Sequence, residues 1–185
     1  DMTQLPQTIG FVGAGNMASA IIGGLISAGY DPKRLCAVDP NEAALAKLQT
    51  LGVSELGAQP SACFQSCELV VLAVKPQFMT AATEGVKHHL CATAAVMSVA
   101  AGISVGALKT QLGNSRLPVV RCMPNTPALV GAGASGLFAS AEVSADQRAG
   151  IEGVMSVVGT TTWLQEESHI DVVTAVSGSG PAYFF

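Results

Sequence analysis

The sequence predicts an α/β protein built on a Rossmann-type, doubly wound and mostly parallel sheet. Three observations support this prediction. Short runs of Val, Ile, Leu and Ala alternate with segments that carry apolar residues at helical spacing. The run at residues 69–74 is continuously apolar, which is typical of a strand covered by helices on both faces. A glycine-rich turn at residues 13–18 directly follows the first predicted strand.

The predicted elements follow one another in short units. Each predicted strand is a short apolar run, and most of the predicted helices begin at a capping residue or end at a glycine. Strands are predicted at residues 8–12, 35–38, 53–56, 69–74, 94–99 and 117–122, and helices at residues 16–28, 41–51, 77–90 and 104–112.

The pattern changes after Met123. Two prolines make residues 124–127 a rigid loop. Beyond it the sequence predicts an edge strand at 131–138, a helix at 145–158, a short strand at 161–164 and a helix at 171–176. We therefore divide the chain after residue 165, into an α/β domain at residues 1–165 and the start of a helical domain at residues 166–185. The chain ends inside an apolar helix, which suggests a fragment.

Composition excludes several classes of protein. The chain has 185 residues and a formal net charge of −4, so it lacks the basic face that a nucleic-acid partner requires. Residues 2–30 and 90–108 are uncharged and long enough to span a bilayer. Both contain polar residues and glycines and lack flanking Lys/Arg asymmetry, so no membrane span is expected. The five irregularly spaced cysteines predict no disulfide framework, no metal site and a cytoplasmic location.

The turn at residues 13–18 has the spacing G-x-G-x-x-A and predicts a dinucleotide site. Gly13 permits the tight turn, and Gly15 lets the backbone approach a pyrophosphate. The helix that begins at Asn16 and Met17 offers free N–H groups to the phosphates.

Asp39 ends the second predicted strand. There its carboxylate would accept hydrogen bonds from both ribose hydroxyls, which favours NAD over NADP. The alternative is that Asp39 caps the following helix.

Two further segments lie at the rim of the predicted sheet, where ligands of such folds bind. After the fourth and fifth strands, respectively, come Ala73, Val74, Lys75 and Pro76, and Ala100, Ala101 and Gly102. Lys75 faces either the cofactor or solvent. The small residues of the second segment leave space for a nicotinamide and its ribose, or else serve tight packing.

Residues 121–127 bring polar side chains into the loop beyond the sixth strand. Arg121 is expected to anchor the turn between the domains. Asn125 and Thr126 belong either to a substrate site or to the scaffold.

The turn at residues 177–181 is the second candidate for the substrate side. It contains Ser177, Gly178, Ser179 and Pro181. Its backbone N–H groups and hydroxyls suit a substrate carboxylate or a cofactor oxygen, and Pro181 is suited to open a helix. The alternative is an interdomain hinge that needs glycine for its backbone angles.

Several of these motifs occur together and in one order. Residues 9–18, 72–77, 100–102, 121–127 and 174–183 together resemble pyrroline-5-carboxylate reductases, which catalyse the last step of proline biosynthesis. The resemblance covers nearly the whole chain.

The resemblance implies hydride transfer from a nicotinamide to the C=N bond of 1-pyrroline-5-carboxylate, giving L-proline. It implies NADP as cofactor, with NAD as the alternative, and no metal. It makes residues 1–165 the dinucleotide-binding domain and residues 166–185 the start of a C-terminal helical domain for dimerisation and substrate binding. It also implies a homodimer or higher homo-oligomer formed through that domain, whose Gly-rich, Thr-containing motif is absent from this chain. Two other readings stay open: a β-hydroxyacid dehydrogenase-like enzyme, and a non-catalytic NAD(P)-binding regulator.

Overall fold

One mixed sheet organises the molecule. The computed structural model describes the backbone of residues 4–184 and the side chains of residues 4–176. The strands are β1 (Ile9–Val12), β2 (Leu35–Val38), β3 (Glu55–Gly57), β4 (Leu69–Leu72), β5 (Ala95–Ser98), β6 (Val119–Pro124), β7 (Gly133–Ala139) and β8 (Gly159–Trp163). The α-helices are α1 (Asn16–Ser27), α2 (Glu42–Thr50), α3 (Met79–Val86), α4 (Val105–Gln111), α5 (Ala145–Ser156) and α6 (Ser168–Phe184).

The sheet has the order β3-β2-β1-β4-β5-β6-β7-β8. The first six strands are parallel, β7 runs antiparallel to β6, and β8 runs parallel to β7. This arrangement confirms the predicted doubly wound, mostly parallel sheet.

Apolar side chains bury both faces of the sheet. Ile21 and Leu25 of α1 and Ile151 of α5 belong to the core on one face. Met79 of α3 and Leu108 of α4 belong to the core on the other. The carboxyl ends of the parallel strands meet at one edge of this sandwich, where loops are free to form a site.

The prediction of an edge strand at residues 131–138 is wrong. β7 lies inside the sheet and pairs with β6 on one side and β8 on the other. Gly133 and Gly159 are partners in the register, and a Cβ on Gly159 would lie 2.0 Å from the Gly133 carbonyl oxygen. The missing side chain at Gly159 therefore allows β8 to approach, and β8 becomes the edge.

The predicted turn at residues 177–181 is also wrong. The backbone continues through this segment as part of α6. Glycine and serine disfavour a helix without preventing one, and a proline removes a single backbone hydrogen bond from it. The side chains of residues 177–184, and Phe185 as a whole, lie outside the described residues.

Within the part of the chain that the structure describes, no helix combines the length and the apolar character needed to cross a bilayer.

Candidate functional site

A cavity of about 510 Å³ opens at the carboxyl ends of β1, β2 and β4. Six residues predicted to bind the cofactor line it, namely Gly13, Gly15, Asp39, Ala73, Val74 and Lys75. They come from three separate segments of the chain, which the parallel sheet brings to one edge. The cavity therefore joins the glycine-rich turn, the end of β2 and the loop after β4.

Gly13 lies between the segments that end β2 and follow β4, the two strands on either side of β1. Its φ angle is +104°, and a Cβ there would lie 2.3 Å from the carbonyl oxygen of Ala73. Its N–H donates to the carbonyl of Val38 at 2.8 Å. Glycine is required here because the backbone angle and the lack of space both exclude a side chain.

Gly15 stands in different surroundings. It is the N-cap of α1, is exposed, and would have no heavy atom within 4 Å of an added Cβ. No side chain among the described residues caps α1, and its first turn holds no acidic residue. The first N–H groups of α1 therefore remain available to an anion such as a pyrophosphate.

Asp39 links the glycine-rich turn to the segment that follows β2. One carboxylate oxygen accepts from the N–H of Ala14 and the other from the N–H of Asn41, each at 2.8 Å. Asn41 is the N-cap of α2, and its side-chain oxygen accepts from Ala43 N–H at 3.0 Å. The alternative reading of Asp39 as the helix cap is therefore wrong, because Asn41 occupies that position.

The bonds to Asp39 leave acceptor capacity on its carboxylate. A carboxylate offers about four lone-pair directions, and the two backbone N–H groups use two of them. Among the described residues that line the cavity, Asp39 is the only anionic residue and Lys75 the only cationic one. Lys75 is exposed. The cavity thus has one charge of each sign, on opposite sides of the glycine-rich turn in the strand order.

The other predicted cofactor residues do not line the cavity. Asn16 is exposed at the start of α1, and Met17 is half-buried against the core. Pro76 begins a short 3₁₀ turn (Pro76–Phe78). The segment 100–102 follows β5, which neighbours β4, and the N–H of Ala100 donates to the Ser98 hydroxyl at 3.2 Å.

Neither of the candidates after β6 lines the cavity. The side-chain oxygen of Asn125 accepts from the N–H of Ala134 at 2.9 Å and so ties the end of β6 to β7. Thr126 is exposed and begins a 3₁₀ turn (Thr126–Val130). The candidates on α6 have side chains outside the described residues: Ser177, Gly178, Ser179 and Pro181.

The structure adds lining residues that are absent from the set predicted from the sequence. They include Asn41, Gln59, Pro60 and Phe78. Gln59 and Pro60 follow β3, so the rule that ligands bind at the carboxyl ends of strands would have found them. Phe78 is 57% exposed, and its exposure is visible only in the folded chain.

A second cavity, of about 300 Å³, lies away from these residues. Leu5, Glu68, Thr93 and Gln147 are among its lining residues, and none of the predicted site residues contributes to it. In the described residues, no group of three or more His, Cys, Asp or Glu side chains is arranged to hold a metal ion.

Comparison with known proteins identifies relatives over nearly the whole chain. Pyrroline-5-carboxylate reductase of Pseudomonas aeruginosa is 47% identical over 180 residues, which cover 96% of this chain and 64% of the relative. The chain thus spans slightly less than two thirds of that relative's length.

Two solved structures of enzymes with this name also match nearly the whole chain. A pyrroline-5-carboxylate reductase from Coxiella burnetii superposes with a TM-score of 0.89 at 40% identity, covering 97% of this chain and 66% of that one. The Plasmodium falciparum pyrroline carboxylate reductase, solved with NADP bound, has a TM-score of 0.78 at 27% identity and covers 96% and 64%. The resemblance to pyrroline-5-carboxylate reductases is confirmed by these relatives.

A family model matches residues 8–102, which include the glycine-rich turn, Asp39 and the loop after β4. The chain therefore belongs to the family described as NADP oxidoreductase, coenzyme F420-dependent.

Proposed function

We propose that the cavity at the carboxyl ends of β1, β2 and β4 binds NADP(H). The uncapped N-terminus of α1 would receive the pyrophosphate, with Gly15 leaving room for its approach. Asp39 lies beside the expected ribose position, and Lys75 lines the same cavity. The predicted nicotinamide rim, residues 100–102, follows the next strand of the sheet.

We further propose that the protein reduces 1-pyrroline-5-carboxylate to L-proline. The observation that carries this proposal is the 47% identity to a pyrroline-5-carboxylate reductase across 96% of the chain. The nicotinamide would supply the hydride. The task left to the protein is to orient the imine ring and to neutralise its carboxylate, because a protonated imine is already electrophilic.

The substrate-side residues are part of this proposal. We assign them to Asn125, Thr126 and the segment of α6 that holds Ser177, Gly178, Ser179 and Pro181. The side-chain oxygen of Asn125 is already engaged with Ala134, so its NH₂ group is what remains for a substrate. We also propose a homo-oligomer and a cytoplasmic location; the five free thiols support the location.

The cofactor proposal is NADP, with NAD as the alternative. The Plasmodium falciparum relative was solved with NADP, which supports the first. Asp39 supports the second, because a carboxylate beside the ribose repels a 2′-phosphate. Lys75, which follows β4, is the only cation among the described lining residues. The segment directly after β2 contributes no Arg or Lys to the lining.

The decisive experiment is an assay of the full-length protein with 1-pyrroline-5-carboxylate and either NADPH or NADH. We expect oxidation of the nicotinamide that depends on the imine and produces proline. A β-hydroxy acid with NADP or NAD serves as the comparison substrate. Turnover of that acid alone would favour the hypothesis of a β-hydroxyacid dehydrogenase-like enzyme. Cofactor binding without any turnover would favour a non-catalytic regulator.

A further inference from the structure

Arg121 on β6 is a buried charge, and its side-chain partners among the described residues come from one later part of the chain. Its side chain is only 3% exposed. One terminal nitrogen, Nη1, donates to Glu167 Oε1 at 3.1 Å, and the other, Nη2, to Asp171 Oδ1 at 3.5 Å. Glu167 directly precedes α6, and Asp171 lies in its first turn. A buried guanidinium needs such partners, so the start of α6 is bound to the middle of the sheet.

Glu167 also joins a third element to this cluster. The same oxygen, Oε1, accepts from the N–H of Val105 at 2.7 Å. Val105 is the first residue of α4, and the loop before it contains residues 100–102, the predicted nicotinamide rim. One carboxylate oxygen therefore fixes α6, β6 and the start of α4 to one another.

Apolar contacts around the cluster also pack α6 against the sheet. Ile170 is fully buried. On β7, a Cβ at Gly136 would lie 3.2 Å from Leu164 and 3.5 Å from Val173. Such contacts are non-directional, whereas the charge-assisted hydrogen bonds of Arg121 define where α6 lies along the strand. Arg121 Nε is buried and has no hydrogen-bond partner among the described residues, so the guanidinium depends on its two Nη bonds.

We propose that Arg121 is a positioning residue for the substrate side of the site. It would hold α6, and with it the segment 177–181, at a set distance from the nicotinamide rim. Arg121 would touch neither substrate nor cofactor. This inference rests on the proposed function, because it assigns the substrate to α6.

The experiment compares four variants of the full-length protein. Arg121→Met removes the charge and keeps an apolar stem, Arg121→Lys keeps the charge, and Glu167→Gln removes the charge of the shared acceptor. The matched control is Lys109→Met, which breaks an ion pair of 2.7 Å between α4 and Glu142, a residue that follows β7. The readouts are KM for the imine, kcat, cofactor Kd, and amide hydrogen exchange along α6.

For Arg121→Met we expect KM for the imine to rise by roughly tenfold or more, because a substrate-binding segment that is no longer held in place makes weaker contacts with the imine. Cofactor Kd stays within about twofold, since Arg121 does not line the cavity and Glu167 can still accept from the N–H of Val105, which holds the start of α4. Exchange along α6 becomes faster. Arg121→Lys recovers most of the loss, Glu167→Gln reproduces it in part, and Lys109→Met resembles the wild type.

Unchanged exchange along α6 in Arg121→Met would overturn the inference by itself. So would a joint change in imine KM and cofactor Kd that Lys109→Met shares, since that pattern indicates general destabilisation. If Arg121→Met does not fold, Glu167→Gln decides by the same readouts. A wild type without imine reduction would overturn the proposed function instead, and the exchange measurement distinguishes that failure from this one.

Discussion

Gly13 and Gly15 stand two residues apart in one turn and serve different purposes. At Gly13 the fold itself excludes a side chain, because the Ala73 carbonyl would lie 2.3 Å from its Cβ. At Gly15 the protein leaves open space. A glycine with room around it suggests that the space belongs to a ligand.

We predict that Gly15→Ala weakens cofactor binding without unfolding the protein. Its φ of −72° suits any residue, so the free energy of unfolding should change by less than about 1 kcal/mol. The methyl group occupies the path of the pyrophosphate, and NADPH Kd should rise about tenfold or more by calorimetry. An unchanged Kd in the folded variant would contradict the placement of the pyrophosphate.

Asp39 has a structural role, because it accepts from the N–H groups of Ala14 and Asn41, and a proposed role in binding the ribose. We predict that Asp39→Asn raises the ratio of kcat/KM for NADPH to that for NADH by about tenfold, because it removes a negative charge beside the ribose. Glu42→Gln is the control, since Glu42 is the next acidic residue and does not line the cavity. A ratio equal to that of the control would mean that Asp39 serves only to join Ala14 and Asn41.

At the scale of elements, α1 shows how small residues set the distance between helices and their neighbours. Gly23 and Gly24 are adjacent in α1. A Cβ at Gly23 meets no heavy atom within 4 Å, whereas at Gly24 it lies 2.8 Å from a Val157 methyl and 3.0 Å from the Val157 carbonyl oxygen. The residue that follows α5 therefore packs directly on the backbone of α1.

These two glycines predict opposite effects of one substitution. Gly23→Ala should raise the free energy of unfolding by up to about 1 kcal/mol through helix propensity. Gly24→Ala should lower it by about 1–3 kcal/mol, because the Val157 carbonyl cannot move aside. Denaturant unfolding of both variants checks this, each serving as the other's control. Changes of the same sign would show that the contact with Val157 is not tight.

At the scale of the whole molecule, buried titratable groups make stability depend on pH, and the thiol of Cys122 is one of them. Burial raises the pKa of Cys122 on β6 from 9.0 to about 12, and a hydrogen bond with Ser135 offsets only part of this. The folded state keeps the proton at a pH where the unfolded chain loses it. The contribution of Cys122 to stability is therefore complete below pH 9 and is lost as the pH rises toward 12.

We predict that this loss is visible in Cys122→Ala. The wild type should be the more stable protein at neutral pH, because the substitution leaves a cavity. Its advantage should shrink above pH 9 by up to about 1.4 kcal/mol per pH unit. Burial raises the pKa of Tyr30, and a hydrogen bond with Cys67 raises the pKa of Cys36. Both effects are common to the two proteins and cancel. Parallel stability curves between pH 9 and pH 12 would contradict the assignment to Cys122.

Local features of the sequence are sufficient for much of the fold. β2 occupies the predicted residues 35–38, and Ser104 caps α4 as expected. The glycine-rich turn joins β1 to α1. These features depend on side-chain periodicity, capping groups and backbone freedom, which are properties of residues close together in the chain. The division into domains at residue 165 stays a prediction.

Contacts between distant segments were decided by the tertiary structure. The sequence indicated that Asp39 lies at the rim, but the folded chain determines that its two oxygens bind Ala14 and Asn41. β7 lies inside the sheet because Gly159 has no side chain, so that β8 can pair with β7 at Gly133. Arg121 was expected to anchor a turn, and its partners, 46 and 50 residues away, became visible only on folding. Periodicity shows that a side chain is buried or lies at an edge, whereas the identity of its partner depends on packing across the whole chain, which no local pattern encodes.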